Sequence, residues 1–480
     1  PRLNPVTINV PNPQEPDTPP EVTAPDITMK LSTPSISLKI APPQLKMEIT
    51  PPTPTVNTLT ITPPEVSEVS TITVNKPAAP SVTPPSPTVN PIVFSIPNLK
   101  PYGNNQYQSR NQNKNLEAKI YTLSVQDDPQ RGDASIVEYI TNTGEFTAPS
   151  GTVMNVDVKR RRAVTLDPGL PTKQKPGIEE WGGIDDPNYS FENFGRINLI
   201  VEDTAGIEVQ PDTHKGNLKV KGINSGIIEG KADKQAAMLF TSENSTSKNE
   251  HTLINKGHII MGGKNSVGFA TSDFIVENNN KASWHMIAKN EGIIDLNNEK
   301  NHGMVVAKTQ IPIGSNSSFE NSGIINVNGK ESGGITLLDK IPTATNTGTI
   351  NITGKNSFGL YSEVDSKIKN AGNINIKNGA TGSMGIRVGS ALATNMSNEG
   401  GTITISSEDG SNMGVYSEDA PFDNKGTIKV EGKNGNIGMY FNGTTGGTNK
   451  NQGAITVTGE NGYGVMLNNG SIFENHDSIT

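Results

Sequence analysis

The sequence predicts an all-β fold, a right-handed parallel β-helix or solenoid, and three observations carry that expectation. First, an imperfect unit recurs: Asn-x-Gly-x-Ile-x-(Val/Ile), a Gly/Asn/Ser turn, then Gly with a short apolar run. It opens at Asn224, Asn255, Asn290, Asn321, Asn346, Asn370, Asn398, Asn424 and Asn451, and more weakly at Asn193 and Asn475. Starts fall roughly 24–35 residues apart, a period at which each unit buries its apolar face only against its neighbours. Second, apolar residues alternate with period two, as in Ile350-Asn351-Ile352, Ile374-Asn375-Ile376, Ile403-Thr404-Ile405 and Ile428-Lys429-Val430, which marks strands with one dry face. Third, only 32% of the chain is hydrophobic and 5% aromatic, a composition suited to a core one side chain wide.

Taken in order, residues 1–100 hold about two-thirds of the 34 prolines. Between them stand short alternating pieces such as Ile27–Leu31, Ile36–Ile40, Leu45–Ile49 and Ile72-Thr73-Val74. Proline excludes these from the middle of a sheet but permits edge or polyproline conformations. An extended, semi-rigid stalk that pairs with or lies along another surface is the expectation. Residues 101–190 read as a β-rich N-terminal cap and loop. Within them, 101–115 form a polar boundary, and strands are expected near Ala118–Val125, Ile136–Ile140 and Val153–Val158. A Gly/Pro-rich loop follows at 168–190. A cap is needed because the end of a solenoid exposes unpaired strand edges.

Residues 191–480 are the repeats. Glycines two residues after the opening Asn (Gly348, Gly372, Gly400, Gly426, Gly453) suggest tight corners with positive φ. A second strand follows at Gly359-Leu360-Tyr361 and its equivalents. A third segment of variable length leads to the next Asn, with an apolar residue two before it (Phe319, Ile368, Met396, Phe422, Phe473). Three strands and three corners per coil, about ten coils, and stacked Asn side chains are the resulting picture.

The net charge of −8 argues against nucleic acid or an anionic membrane as the main partner. The chain has no cysteine, which removes disulfides and thiolate chemistry and suits passage across a bacterial envelope. No apolar run is long enough to span a bilayer, and no signal peptide is evident. The start at Pro1 and the stop within a fresh repeat read as a trimmed piece of something longer.

The Pro/Thr/Val-rich start, as in Pro51-Pro52-Thr53-Pro54-Thr55-Val56 and Pro84-Pro85-Ser86-Pro87-Thr88-Val89, is joined to repeats such as Asn424-Lys425-Gly426-Thr427-Ile428-Lys429-Val430. Together they resemble the passenger regions of large type V autotransporter adhesins, in particular the fusobacterial, RadD-like group. The resemblance implies an extracellular passenger displayed at the cell surface by a C-terminal outer-membrane barrel that these 480 residues do not include. It also implies adhesion to a protein or glycan on host cells or other bacteria.

Chemistry-bearing clusters are few. Glu363, Asp365, Glu408, Asp409, Glu418 and Asp419 gather near similar corners, as a β-helix polysaccharide-active enzyme would require, but solvated corner charges are the simpler reading. No catalytic or phosphate-binding motif occurs, and the six histidines lack ligand spacing, so no catalytic residue, metal or cofactor is expected. Arg131-Gly132-Asp133 spells an integrin-type tripeptide, against which an ordinary turn is the simpler reading. Lys159-Arg160-Arg161-Arg162 is a protease or polyanion site or a solvated strand end. The sharpest pattern is Tyr361, Arg387, Tyr416, Tyr440 and Met466, each two residues after the second-strand Gly. Period-two geometry aims all five outward in one stripe. The stripe either holds a sugar face or protein partner or merely braces neighbouring coils. A spacer without binding function is the remaining alternative.

Overall fold

The computed structural model describes residues 87–99 (except 88 and 93), 114–122, 135–140, 144–167, 188–209, 219–242, 250–273, 285–308, 313–389, 395–443 and 447–480. The chain divides into Pro1–Ala79 and Pro80–Thr480, and all described residues belong to the second unit. Most of the expected stalk, the Arg131-Gly132-Asp133 tripeptide and the core of the 168–190 loop therefore lie outside the described residues.

The described residues form three parallel sheets of twelve strands each and no helix. Sheet I runs from Ile120–Thr122 to Ala454–Val457, sheet II from Ser135–Ile140 to Tyr463–Asn468, and sheet III from Gly144–Ala148 to Ile472–Asn475. Every strand pairs with the strand three places on in the chain, so each coil contributes one strand to each sheet. This is the right-handed parallel β-helix. Its twelve coils exceed the expected ten because the block read as an irregular cap already contributes two. Val153–Val156 pairs with Arg196–Leu199 in sheet I, and Arg162–Asp167 pairs with Thr204–Val209 in sheet II. These coils lack the Asn-x-Gly signature, which hid them.

The core is a stack of columns of like side chains. Ile325, Ile350, Ile374, Ile403, Ile428 and Ile455 succeed one another in sheet I, all with no exposure. Phe319, Ile368, Met396 and Phe422 fill sheet III as expected. The corner from sheet III to sheet I carries an Asn ladder. Asn193 Nδ2 donates to Asn224 Oδ1 at 2.9 Å, and the pattern continues without a break through Asn255, Asn290, Asn321, Asn346, Asn370, Asn398, Asn424 and Asn451 to Asn475 at 2.7–2.8 Å. From Asn193 to Asn451 each amide thus donates to its partner one coil away, and these ten side chains are fully buried, while Asn475 at the last rung is exposed.

The glycines after these asparagines serve a different purpose from the one expected. Gly400 alone of the five has positive φ, +80°, and it is an inserted residue, with Gly401 in the stacking position. At Gly348 a Cβ would lie 2.1 Å from the Gly323 carbonyl oxygen. Close approach of successive coils, not backbone conformation, demands glycine there. Positive φ recurs instead at the corner between sheets I and II, where Asp203, Lys234, Asn265, Lys300, Glu331, Asn356 and Asn434 adopt it in successive coils or nearly so.

Candidate functional site

The outer face of sheet II is where sequence and structure part most usefully. Its register aligns two outward columns. One runs Ala205, Ala236, Val267, His302, Gly333, Phe358, Met384, Met413, Ile437 and Tyr463. The other runs Leu239, Ala270, Val305, Thr336, Tyr361, Arg387, Tyr416, Tyr440 and Met466. The five predicted stripe residues therefore do stand in one outward column. Small side chains occupy the N-terminal coils and large aromatic ones the C-terminal coils.

The outward face is nevertheless not open. Tyr361, Tyr416 and Tyr440 are 4%, 2% and 4% exposed, whereas a stripe free to take a ligand would be wet. The described residues between 87 and 99 lie along the face as a strap. Val89, Ile92 and Phe94 pack on the aromatic cluster of Phe358, Tyr361, Met384, Met413, Tyr416, Ile437 and Tyr440. Leu99, Phe94 and Ile96 pack among Ala205, Ala236, Leu239, Val267, Ala270 and Val305. The strap thus runs against the direction of coiling, with Leu99 at the N-terminal coils. Phe94 meets His302 edge-on at 6.2 Å, His302 leans on Phe358 at 5.7 Å, and Phe358 on Tyr361 at 5.5 Å. Gly333 makes room for this row, since a Cβ there would sit 2.3 Å from the Phe358 ring.

The Pro-rich segment of residues 1–100 was expected to form an extended stalk that pairs with or lies along another surface; only its end is described, and those residues lie along sheet II. They form no strand ladder, because the backbone groups of sheet II already bond between coils. Hydrogen bonds secure the strap at one end. Asn98 N–H donates to Asp203 Oδ1 at 3.1 Å, and Arg160 Nε donates to the Asn98 carbonyl at 3.1 Å. This gives the basic run an unexpected division of labour. Lys159 pairs with Glu202, Arg160 holds the strap, and Arg162 is fully buried with Nε 2.6 Å from Glu208 Oε2. A solvated strand end was one expectation for that run, but a fully buried ion pair is what Arg162 forms.

Within the stripe, the Arg387 guanidinium lies 5.1 Å from the Tyr361 ring centroid, and Tyr416 stacks on Tyr440 at 5.8 Å. Burial pushes the Tyr361 and Tyr416 phenols up to about 12, with Glu363 adding to the first and Glu418 to the second. Burial also lowers Arg387, which the nearby tyrosines and glutamates partly offset. The hydroxyl of Tyr361 donates to Glu363 at 3.2 Å, and Tyr440 Oη accepts from Asn468. The arrangement grips the apolar side chains of Val89, Ile92 and Phe94.

The corner carboxylates are drawn into local contacts. Glu363 pairs with Lys308, Asp365 with Lys340 and Asn395, Glu408 with Lys433, and Asp409 accepts the Gly379 N–H. Among the described residues no three acidic, His or Cys side chains group as a metal site. The histidines disperse: His258 faces Asp295 at 2.7 Å, His302 faces Thr336 at 2.8 Å, and His251 sits inside the core. His214 lies outside the described residues.

A second internal ladder is not evident from the sequence alone. Before seven successive sheet II strands, from Val267–Asp273 to Ile437–Asn442, a Ser or Asn side chain accepts the backbone N–H of the coil preceding it. The series runs Ser266, Asn301, Ser332, Ser357, Ser383, Asn412 and Asn436 at 2.8–3.1 Å. A small polar residue just before Gly or an apolar residue was its signal, blurred because Ser and Asn alternate.

Fold and face together define a parallel β-helix with one outer sheet covered by a strap of the same chain. Residues 140–362 match the family model for the BigA third pectate lyase-like domain. No curated protein and no solved structure matches the chain.

Proposed function

We propose that this chain is the displayed passenger of an autotransporter-type adhesin, with the β-helix holding variable turns out to a protein or glycan on another cell. One observation carries the reading: length variation is concentrated at one corner. Sheet III to sheet I takes two residues in every coil from Asn193 onward except the one at Asn398. By contrast, sheet II to sheet III runs from Asp273 to His285 in one coil and only from Asn468 to Ile472 in another. A rigid scaffold with variation confined to one edge is how solenoids present contact loops. The match to a BigA domain supports surface display, and the RadD-like resemblance narrows it to adhesion. No catalytic group or cofactor enters this reading, and membrane contact would come only through a separate barrel.

The test is binding of the purified chain to whole bacterial and host cells, with soluble sugars and free amino acids as competitors. Saturable, competed binding is expected. Its absence in a folded chain would reassign these residues to a spacer.

A further inference from the structure

We infer that the strap of one copy docks on the outer face of sheet II of a second copy, so that this face is an exchangeable interface between molecules. The strap is built to be separable. It leaves the β-ladders intact, since its described residues contact sheet II through apolar side chains, and among the described residues its hydrogen bonds to the β-helix cluster at Asn98 and Leu99. Its other contacts are Val89, Ile92, Phe94 and Ile96, all partly exposed as they lie on the face. Proline at 91 and 97 holds such a segment extended before it docks, and extended proline-spaced chains on aromatic-lined surfaces are a recurrent recognition mode.

The occupant follows from the fit. Leu99 shares a cluster with Ala205 and Ala236, Asn98 is held at Asp203, and Phe94 meets His302, which leans on Phe358, so the order of coils matches the order of side chains in the strap. An identical strap meets that order as well as the molecule's own. Exchange conserves every contact, so concentration decides between the closed and exchanged forms. A tethered strap has an effective concentration in the millimolar range. Closed molecules therefore dominate in dilute solution, and exchange grows where copies are crowded. A second copy as partner deepens the adhesive reading and rests on it for its setting. The exchange itself is measured with no cells present, so either idea can fail alone.

The chain has no cysteine, which makes introduced thiols unique. Full-length Phe94→Cys and His302→Cys chains, each with a single thiol, are mixed and treated with a short thiol cross-linker. The double variant Phe94→Cys/His302→Cys reports the closed form. Within-chain cross-linking at about 1 µM, and heterodimers at about 1 mM outnumbering homodimers of either single variant tenfold, are expected. Leu99→Cys with Ala236→Cys repeats the test should the first pair lose its β-sheet circular dichroism. The inference is overturned by a double variant that closes on itself with no heterodimer at 1 mM. It is equally overturned by heterodimers no more abundant than homodimers, or by no cross-link in any sample.

Discussion

Asn346 shows how a single side chain can hold three coils. It accepts from Asn321 at 2.7 Å and donates to Asn370 at 2.8 Å, all three fully buried. Asn346→Ala strands both neighbours, and each buried amide left without its partner costs about 1–3 kcal/mol. A loss of about 3 kcal/mol is expected, read as faster amide exchange in the adjoining strands. Asn351→Ala, on the wetter outer ladder that joins Asn326 and Asn375, is expected to cost under about 1 kcal/mol. The inner ladder was legible because Asn recurs unchanged at one position. His251 was not, since one histidine among apolar neighbours leaves no periodic trace. It sits between Val220 and Met286, 1% exposed, with neither ring nitrogen hydrogen-bonded. Burial, with a smaller contribution from His285, pushes its pKa down to about 3. The unfolded chain therefore takes up a proton near pH 6.5 that the folded one refuses until about pH 3. Stability is lost as pH falls through that window, by on the order of 5 kcal/mol in full. His251→Met is expected to flatten this dependence in denaturation curves taken from pH 7 to pH 3.

Corners and strands obey a different constraint, the 4.8 Å rise between coils. Gly348→Ala places a methyl group 2.1 Å from the Gly323 carbonyl, and neither backbone can yield without breaking its ladder. Loss of soluble folded protein, or a large drop in melting temperature, is expected. Gly435, by contrast, has φ +78° and nothing within 4 Å of where a Cβ would stand, so Gly435→Ala is expected to cost only about 1–2 kcal/mol. The pair separates crowding from conformation as the reason for glycine. The aromatic column makes a similar distinction. Truncating Tyr361, Tyr416 and Tyr440 together to Ser removes buried rings, each worth about 3 kcal/mol or more. The expected outcome is a destabilised outer face and a strap more open to proteolysis. A triple variant as stable as the parent would contradict the buried arrangement.

For the β-helix as a whole, contacts between neighbouring coils dominate, so stability is close to a sum of coil and interface terms. The connection from sheet II to sheet III accordingly tolerates change. Replacing residues 274–284 with the short turn Glu363–Ser366 is expected to preserve the β-sheet circular dichroism and to shift the melting temperature little. A large change in partner binding would place recognition at that edge. The repeat made the coil order, the strand faces, the Asn ladder and the outward alignment of Tyr361, Arg387, Tyr416, Tyr440 and Met466 readable, because each is a relation between residues one period apart. The strap on sheet II, the burial of that stripe and the Arg162–Glu208 pair were not readable. The strap joins segments sixty or more residues apart in the chain with no shared period, 62 between Asn98 and Arg160 and 105 between Asn98 and Asp203, and burial depends on what comes to rest on a face. Local pattern therefore settled which way each side chain points, while only the folded chain decided which outward faces still meet water.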